Sequence, residues 1–270
     1  MRFVDVQKIP EPAPIEWLQD PCRPTCFQQS EGANTSIPDN WRRRRHHYFA
    51  DIVHLDNKLG LLLDTLESTG RLENAFIVLI ADHGECLLDH GFTGKAERHY
   101  DACIRVPLII AGPGLQQGAS CSQLVQHEDI FPTVLEMAGL PVPELQTMSP
   151  YLKESPEALY GSSLLGLCRG EKPATWRDTA YIESYNNIST ATPANWARSV
   201  RTAEWRYTMY AGGNGEQLFD LEHDPDEQAN LACDPKFAAI RQEMRDRLLE
   251  LVILQDYPQP QRDLFALGVH

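Results

Sequence analysis

A carboxylate and an imidazole stand side by side in this sequence, directly after an apolar run. Asp82 and His83 follow the residues Ala75-Phe-Ile-Val-Leu-Ile-Ala81, and Gly84 comes next. An aspartate oxygen and a histidine nitrogen are suitable ligands for a divalent metal ion, and a glycine lets the backbone turn so that both face one point. Two ligands alone do not make a site, so the pattern only allows a metal site. On this triplet alone, the favoured interpretation is that Asp82 caps a turn and His83 bonds locally.

Positively charged and hydrogen-bonding side chains follow a little further along the chain. Lys95 lies thirteen residues after Asp82, and Arg98, His99 and Tyr100 come soon afterwards. Such a cluster suits a tetrahedral oxyanion better than a neutral substrate. We therefore predict that Lys95 is a catalytic and substrate-binding cation and that His99 binds substrate, although an isolated loop lysine is ordinarily only solvated.

A second triplet of the same type lies between these two groups. Asp89-His-Gly91 could complete a four-ligand cage with Asp82 and His83. Its loop setting and different flanking residues favour a simple turn instead. The sequence thus offers two candidate metal ligands and leaves the second triplet open.

The elements that must position these residues are helices and strands of an α/β protein. Apolar residues recur at helical spacing after Trp41, and Gly70 stands where such a helix would end. The continuous apolar runs 75–81 and 106–111 are typical of parallel strands that are buried on both faces. Residues 129–138 predict another helix. The fold class expected is α/β, with a mostly parallel sheet flanked by helices.

The C-terminal hundred residues have a different pattern. Four short alternating segments, at 179–183, 197–202, 205–210 and 217–221, predict a small antiparallel sheet, and a helix over about 235–254 could cover one face of it. The sequence therefore divides into three parts. These are a proline-rich irregular segment over residues 1–40, the α/β part over 41–170, and a small α+β subdomain over 171–270.

Composition excludes several classes of function. The chain has 270 residues, of which 42% are hydrophobic, and 24 Lys and Arg against 38 Asp and Glu give a net charge of −14. This charge argues against binding to nucleic acid or to an anionic membrane. We interpret the basic run Arg42-Arg-Arg-Arg45 as the solvated start of a helix.

Cysteine usage and apolar segments bear on where the protein is found. Seven cysteines at irregular spacing indicate reduced, mostly buried thiols rather than a disulfide framework. No apolar segment approaches the roughly 18 residues of a membrane span, and the N-terminus lacks the apolar core of a signal peptide. The sequence therefore predicts a soluble protein; it favours the cytoplasm but leaves the compartment unknown.

Several motifs occur together in an order that resembles the type I sulfatases of the alkaline phosphatase superfamily. The resemblance begins near Tyr48 and continues through most of the chain. The segments that carry it are YFADIVHLDNKLGLLLDTLESTG, FIVLIADHGECLLDHGFTGK, HYDACIRVPLIIAGPG, QHEDIFPTVLEMAGLPVP, YGSSLLGLCRG, SVRTAEWRYTMY and QLFDLEHDPDEQANLACDP.

This resemblance implies both a reaction and a site. In the family, the residues matching Asp82 and His83 bind a divalent metal, commonly calcium, and the lysine matching Lys95 contacts the sulfate group. A hydrated formylglycine, formed from the cysteine of a Cys-x-Pro-x-Arg motif, attacks sulfur. The resemblance thus implies metal-dependent hydrolysis of a small-molecule or carbohydrate sulfate ester.

The nucleophile motif of the family has no full match in this sequence. Cys22-Arg-Pro-Thr-Cys26 has the cysteine and the proline but carries Cys26 where the arginine belongs, and it lies unusually close to Asp82. We therefore expect the chain to correspond to the C-terminal portion of a sulfatase and to be inactive alone. An oligomer or a partner chain that completes the sheet is a further expectation.

Two alternatives remain open at this point. A phosphodiesterase or phosphonate monoester hydrolase of the same superfamily would use the same metal platform on phosphorus. A non-catalytic homologue that binds sulfated or phosphorylated ligands would retain these motifs without turnover.

Overall fold

The structure is a computed structural model, and it describes residues 4–29, 32–95, 98–140, 161–184, 196–213 and 215–256. Five helices and six strands lie within these ranges. In chain order they are α1 (Trp41–Ser68), β1 (Ile77–Ile80), α2 (Asp101–Ile104), β2 (Leu108–Ala111), α3 (Ile130–Met137), α4 (Leu165–Cys168), β3 (Ala180–Ser184), β4 (Ala197–Arg201), β5 (Trp205–Tyr210), β6 (Glu216–Asp220) and α5 (Ala238–Asp256).

Helix α1 has the bounds that the sequence predicts. It begins at Trp41 and ends before Gly70, which has a φ of +68° and so takes the left-handed conformation that ends many helices. Its basic start is not wholly solvated, because the Arg45 side chain is buried and bonds the Asp89 carboxylate at 2.5 Å. The interpretation of the whole basic run as solvated is therefore wrong at Arg45.

The predicted parallel strands form an antiparallel pair. Strand β1 pairs with β2, with Ile77 opposite Ala111 and Ile80 opposite Leu108, and the described residues give this sheet two strands. The described residues do not show the predicted central parallel strand buried on both faces, since the two apolar runs pair antiparallel with each other and Ile109 is 60% exposed. An unbroken apolar run is typical of parallel strands, but it does not by itself fix the direction of the neighbouring strand.

The connection between β1 and β2 explains the antiparallel pairing. A parallel pair needs a crossover, usually a full helix that packs on the sheet. The described residues within 81–107 contain a short 3-10 turn at Asp89–Gly91 and the four-residue helix α2, and no longer helix. The chain therefore makes a long excursion and returns beside the strand that it left. We call residues 81–107 the excursion loop.

The second sheet agrees with the sequence. Its strands lie in the order β3-β4-β5-β6, all antiparallel. Strands β5 and β6 pair across the glycine-rich turn, where Gly212 and Gly213 both have positive φ, and a backbone without Cβ atoms adopts that conformation at little cost.

This second sheet is buried on both faces. Val200, Tyr207 and Leu218 pack with residues of α5, including Met244 and Leu248, on one face. On the other face, Ala197, Tyr210 and Phe219 pack with the N-terminal segment and the excursion loop through Trp17, Phe27, Cys86, Phe92, Tyr100 and Cys103. The sheet therefore forms the middle layer on which the excursion loop rests.

The described residues of the N-terminal segment lie against that middle layer. This segment contains 3-10 turns at Val6–Lys8, Glu16–Leu18 and Thr25–Gln29. A disulfide joins Cys22 to Cys233, with a Cα–Cα distance of 5.9 Å. The interpretation of all seven cysteines as reduced is thus wrong for this pair, because a bond between residues 211 positions apart leaves no spacing signal in the sequence.

Among the described residues, no helix combines the length and the apolar character that crossing a membrane requires.

Candidate functional site

The predicted site residues lie along a cleft of about 1050 Å³. The excursion loop forms one wall, and residues 121–128 and strand β3 form the others. Asp82, His83, Lys95 and His99 all line this cleft. The excursion loop thus brings to one place four side chains that the sequence singled out separately.

Gly84 is required at its position for a steric reason. A Cβ atom there would lie 2.0 Å from the carbonyl oxygen of Ala102, far inside van der Waals contact. The Gly84 amide donates to the Cys103 carbonyl at 2.8 Å. The glycine therefore lets the turn after His83 pack directly on α2, whereas the sequence suggested only that it allows a sharp bend.

Asp82 and His83 point toward the same region. The Asp82 Oδ2 and His83 Nε2 atoms are 3.4 Å apart, and the Asp82 side chain is 84% exposed. The pKa of the Asp82 carboxyl is lowered: desolvation opposes this shift, and the hydrogen bond from the His83 amide together with the neighbouring Lys95 charge outweighs it. Asp82 is therefore a carboxylate with an accessible oxygen at the mouth of the cleft.

The tautomer of His83 follows from its contacts. Its Nδ1 lies 2.7 Å from the Gly84 carbonyl oxygen, which can only accept a hydrogen bond, so Nδ1 carries the proton. This leaves a lone pair on Nε2, and Nε2 is the atom that contacts the Nζ of Lys95. A histidine held in this way presents the ring nitrogen that a metal ion would bind.

The Lys95 ammonium group contacts His83, and its positive charge also acts on the Asp82 carboxyl. The ammonium group donates to His83 Nε2. The backbone around it is held from behind, because Arg98 donates to the carbonyls of Thr93 (3.1 Å) and Lys95 (2.5 Å), and Glu85 accepts from the Gly94 amide at 2.5 Å. The structure places Lys95 next to His83, and its catalytic and substrate-binding role stays a prediction.

The donor set fits a divalent cation in part. Asp82 offers an exposed carboxylate oxygen, His83 offers the correct nitrogen, and a cationic group already lies against that nitrogen. A hard cation such as calcium prefers six to eight oxygen ligands. The described residues contain no group of three or more His, Cys, Asp or Glu side chains arranged around a common point. Asp82 and His83 therefore fit as two members of a larger ligand set.

His99 lies on the wall of the cleft but is buried. Only 2% of its surface is exposed, and its ring nitrogens lie 2.6 Å from the Ser199 hydroxyl and 3.0 Å from the Ser184 hydroxyl. Burial, assisted by the Arg206 and Arg198 charges, lowers the pKa of His99 to about 3. His99 is thus a neutral residue that joins the excursion loop to the second sheet, and its predicted contact with substrate is untested.

The second triplet forms a turn. Asp89–Gly91 is a 3-10 turn, and the Asp89 carboxylate accepts bonds from the Ala13 amide at 2.6 Å and from Arg45 at 2.5 Å. The His90 ring is buried and stacks on Tyr100, with a centroid distance of 3.9 Å. The structural interpretation of this triplet is therefore correct, and it adds no ligand to the site.

His127 and Arg201 also line the cleft, and sequence reasoning did not select either. His127 Nε2 lies 2.9 Å from the carbonyl oxygen of Ala81, the residue before Asp82. Arg201 makes two bonds to Asp101, at 3.1 and 3.0 Å. His127 and Arg201 lie in the QHEDIF and SVRTAEW segments, which the sequence marks only as parts of the family pattern. No local spacing joins His127 to Asp82, so neither residue carries a signal of its own.

Family models match this chain over most of its length. The model described as N-sulphoglucosamine sulphohydrolase, C-terminal, matches residues 89–253, and the model described as Sulfatase matches residues 18–140. The fold and the loop that carries Asp82, His83 and Lys95 are thus those of a sulfatase-type α/β protein. The chain belongs to the type I sulfatase family of the alkaline phosphatase superfamily.

Individual relatives agree with this assignment. The chain is 32% identical over 232 residues to the Δ4,5-hexuronate-2-O-sulfatase of Bacteroides thetaiotaomicron, covering 83% of this chain and 44% of that protein. A solved structure that holds its substrate D-glucosamine-2-N,6-O-disulfate is similar with a TM-score of 0.70 and 25% identity, covering 88% of this chain and 46% of that one.

A phosphonate monoester hydrolase is similar as well. The structure of the enzyme from Silicibacter pomeroyi has a TM-score of 0.75 and 25% identity, covering 92% of this chain and 51% of that one. The chain therefore spans about half the length of these proteins.

Proposed function

We propose that this chain contributes the metal-ligand and anion-binding part of a hydrolase that acts on sulfate esters. The observation that carries the proposal is the convergence of the Asp82 carboxylate, the His83 imidazole and the Lys95 ammonium on the lining of the cleft. An arrangement with ligands for a cation on one side and a cationic donor on the other suits an ester that bears a tetrahedral oxyanion.

Each residue has a defined part in this proposal. A bound divalent metal, with calcium as our proposal, would supply electrostatic stabilisation to the sulfate oxygens. Asp82 and His83 would hold it, the first with an exposed oxygen and the second with Nε2. Lys95 would leave His83 and donate to a sulfate oxygen on the far side. Arg98 and Glu85 keep the loop around Lys95 in place for that contact.

The substrate class that we propose is a sulfated carbohydrate. One relative is named for action on a hexuronate 2-O-sulfate, and one similar structure holds a disulfated glucosamine. The cleft of about 1050 Å³ is large enough for a sugar of one or two rings.

Cys22 does not serve as the nucleophile in this proposal. The Cys22 sulfur is bonded to Cys233, so conversion to formylglycine is blocked while that disulfide stands. Loss of a nucleophile commonly removes several orders of magnitude in rate. We therefore propose that this chain alone hydrolyses sulfate esters no faster than background.

The site is tested by coupled binding experiments on the full chain. Calcium is titrated by calorimetry, and a sulfated hexuronate disaccharide is then titrated with and without calcium. We expect weak calcium binding that Asp82→Asn abolishes, and disaccharide binding that calcium strengthens and Lys95→Ala weakens about tenfold, the loss of one charge-assisted contact. Asp226→Asn and Lys236→Ala are matched controls, because both side chains are exposed and neither lines the cleft.

Binding that is indifferent to Asp82 and Lys95 would contradict the proposed site.

A phosphorus-directed function is the second candidate, supported by the TM-score of 0.75 to a phosphonate monoester hydrolase. Titration of a phenyl phosphonate monoester in the same series distinguishes the two, since the better ligand identifies the ester class. Turnover of an aryl sulfate by this chain well above background would overturn the expectation of inactivity, and ligand binding without turnover in any longer form would favour a non-catalytic homologue.

A further inference from the structure

Two buried thiols lie face to face within the excursion loop. The Sγ atoms of Cys86 and Cys103 are 3.2 Å apart, and the two residues are 0% and 5% exposed. Cys86 follows the His83 turn, and Cys103 lies in α2. We propose that this pair is a redox-sensitive modification site, at which hydrogen peroxide converts the two thiols into a reversible disulfide.

The backbone already holds the two cysteines in a suitable relation. The Gly84 amide donates to the Cys103 carbonyl at 2.8 Å, and the Cys86 amide donates to the Gly94 carbonyl at 3.2 Å. These bonds keep the His83 turn, the residues before Lys95 and α2 side by side. A disulfide needs the sulfur atoms at about 2.05 Å. The sulfurs must therefore move together by only about 1.2 Å, a distance that side-chain rotation with a small shift of α2 covers.

One of the two thiols is accessible to a small oxidant. Cys103 borders the cleft, whereas Cys86 is fully enclosed. Peroxide entering the cleft would meet the Cys103 sulfur first. Cys86 would remain protected from solvent until its partner has reacted, so this order of events favours a bond within the pair over a bond to another molecule.

The chemistry balances with hydrogen peroxide as the oxidant. The Cys103 thiolate attacks one peroxide oxygen, the O–O bond breaks, and a sulfenic acid and hydroxide form. The Cys86 sulfur then attacks the Cys103 sulfur, the S–O bond breaks, and hydroxide leaves. The Cys86 proton converts this hydroxide to water, and a solvent proton converts the hydroxide from the first step to a second water. The two thiols lose two electrons in total, and the peroxide gains them.

The pKa shifts of the two thiols favour the same order of reaction, with Cys103 reacting before Cys86. The hydrogen bond from the Cys86 thiol lowers the pKa of Cys103, which burial opposes and the Arg98 charge assists. The same hydrogen bond, together with burial, raises the pKa of Cys86. Cys103 is therefore the thiol that ionises first, and the thiolate is the form that reacts with peroxide.

Oxidation would change how the excursion loop is held. In the reduced protein the Cys103 thiol also lies 3.7 Å from the Gly94 carbonyl oxygen, one residue before Lys95. A disulfide removes that thiol proton and ties the His83 turn covalently to α2. We expect the Gly84 amide, which donates across this junction, to exchange with deuterium about tenfold more slowly in the oxidised protein.

The test uses the full chain with the Cys22–Cys233 disulfide intact. The protein is treated with hydrogen peroxide, denatured, alkylated with iodoacetamide and mapped by mass spectrometry. We expect two fewer alkylated cysteines than in the untreated protein, a peptide pair linked through Cys86 and Cys103, and reversal by a phosphine reductant. Persistent alkylation of both residues, or a link from either one to a different cysteine, would overturn the proposal.

Variants separate this pair from other cysteines. Cys103→Ser should abolish the linked peptide. Cys26→Ser is the matched control, because Cys26 is buried in the same core, and it should retain the linked peptide. If Cys103→Ser does not fold, the wild-type peptide map and the deuterium exchange of Gly84 still decide the question, since both are measured on the unchanged sequence.

Discussion

The two sheets of this protein differ in how they are covered and in what they carry. The β1–β2 pair is partly exposed, with Ile109 at 60%, and helix α1 before it exposes Leu55 at 61%. In the second sheet, Tyr207 and Leu218 are 0% exposed. The candidate site belongs to the exposed pair, through the excursion loop. The candidate site therefore lies beside the less enclosed sheet, while the better enclosed sheet holds the excursion loop in place.

Buried polar contacts make this attachment. From His99 a chain of hydrogen bonds passes through the Ser199 hydroxyl (2.6 Å) to Thr208 (2.6 Å), whose hydroxyl also accepts from Arg206 at 2.6 Å. Arg206 in turn pairs with Glu227. Glu227 returns to the excursion loop by accepting from the Asp101 amide at 2.6 Å. Both ends of this chain are in the excursion loop, so its position depends on groups in the second sheet.

Removing Arg206 should therefore give the largest loss of stability. Arg206→Met leaves the Glu227 carboxylate buried without its ion partner, and breaking a buried pair from one side costs about 3–5 kcal/mol. Urea unfolding at neutral pH measures this loss. The double variant Arg206→Met with Glu227→Gln should recover part of it, because no uncompensated charge then remains.

A surface arginine provides the matched control for that experiment. Arg247 pairs with Asp178 at 3.0 Å and with Glu243 at 3.2 Å, and these acidic partners are 80% and 62% exposed. Arg247→Met should cost less than about 1 kcal/mol. Equal losses for the two arginines would show that the buried chain of contacts does not hold the second sheet and the loop together.

The sequence predicted local features better than long-range ones. The second sheet, α1 and the position of Asp82 after a strand followed from periodicity and composition, which neighbouring residues determine. The antiparallel pairing of β1 with β2, the Arg45–Asp89 ion pair and the Cys22–Cys233 bond did not. Each of these joins residues far apart in the chain, and an apolar run, a basic run or a lone cysteine has the same local appearance in several folds.

Breaking the Cys22–Cys233 disulfide tests how much the N-terminal segment adds to the second sheet. The bond closes a loop of 211 residues, and loops of that length constrain the unfolded chain strongly. Cys22→Ser should lower the free energy of unfolding by about 2–4 kcal/mol. Cys121→Ser is the control, because Cys121 is an exposed thiol. An unchanged free energy in Cys22→Ser would place the N-terminal segment outside the cooperative unit.

The buried His99 imidazole, between the excursion loop and the second sheet, should make stability depend on pH. Burial lowers the pKa of His99 to about 3 in the folded protein, against about 6.5 in the unfolded chain. The unfolded chain therefore binds more protons below pH 6.5, and stability falls as pH decreases from 6.5 toward 3. Between pH 7.5 and pH 5, His99 should account for about 2 kcal/mol of the loss.

Replacement of His99 by a group that does not titrate checks that assignment. His99→Gln should reduce the difference in unfolding free energy between pH 7.5 and pH 5, measured by urea titration at both values. His223 is the opposite control, since its hydrogen bond to Asp220 raises its pKa and its contribution is present at low pH and lost as pH rises. His223→Gln should leave the acid loss intact, and a flattened profile in that variant would remove His99 as the cause.

The smallest effect is expected on the exposed face of α1. Leu55 and Leu61 are 61% and 60% exposed, so Leu55→Gln with Leu61→Gln should change the free energy of unfolding by less than about 0.5 kcal/mol in this chain. Leu218→Ala, in the enclosed sheet, should cost about 2–5 kcal/mol.

Sedimentation of the glutamine variant adds a second measurement, because the partner chain or oligomer predicted from the sequence would bury apolar faces of this kind. If wild type associates and the variant does not, these leucines contribute to an interface; a large loss of stability in a monomeric variant would instead mean that α1 packs more closely than its exposure indicates.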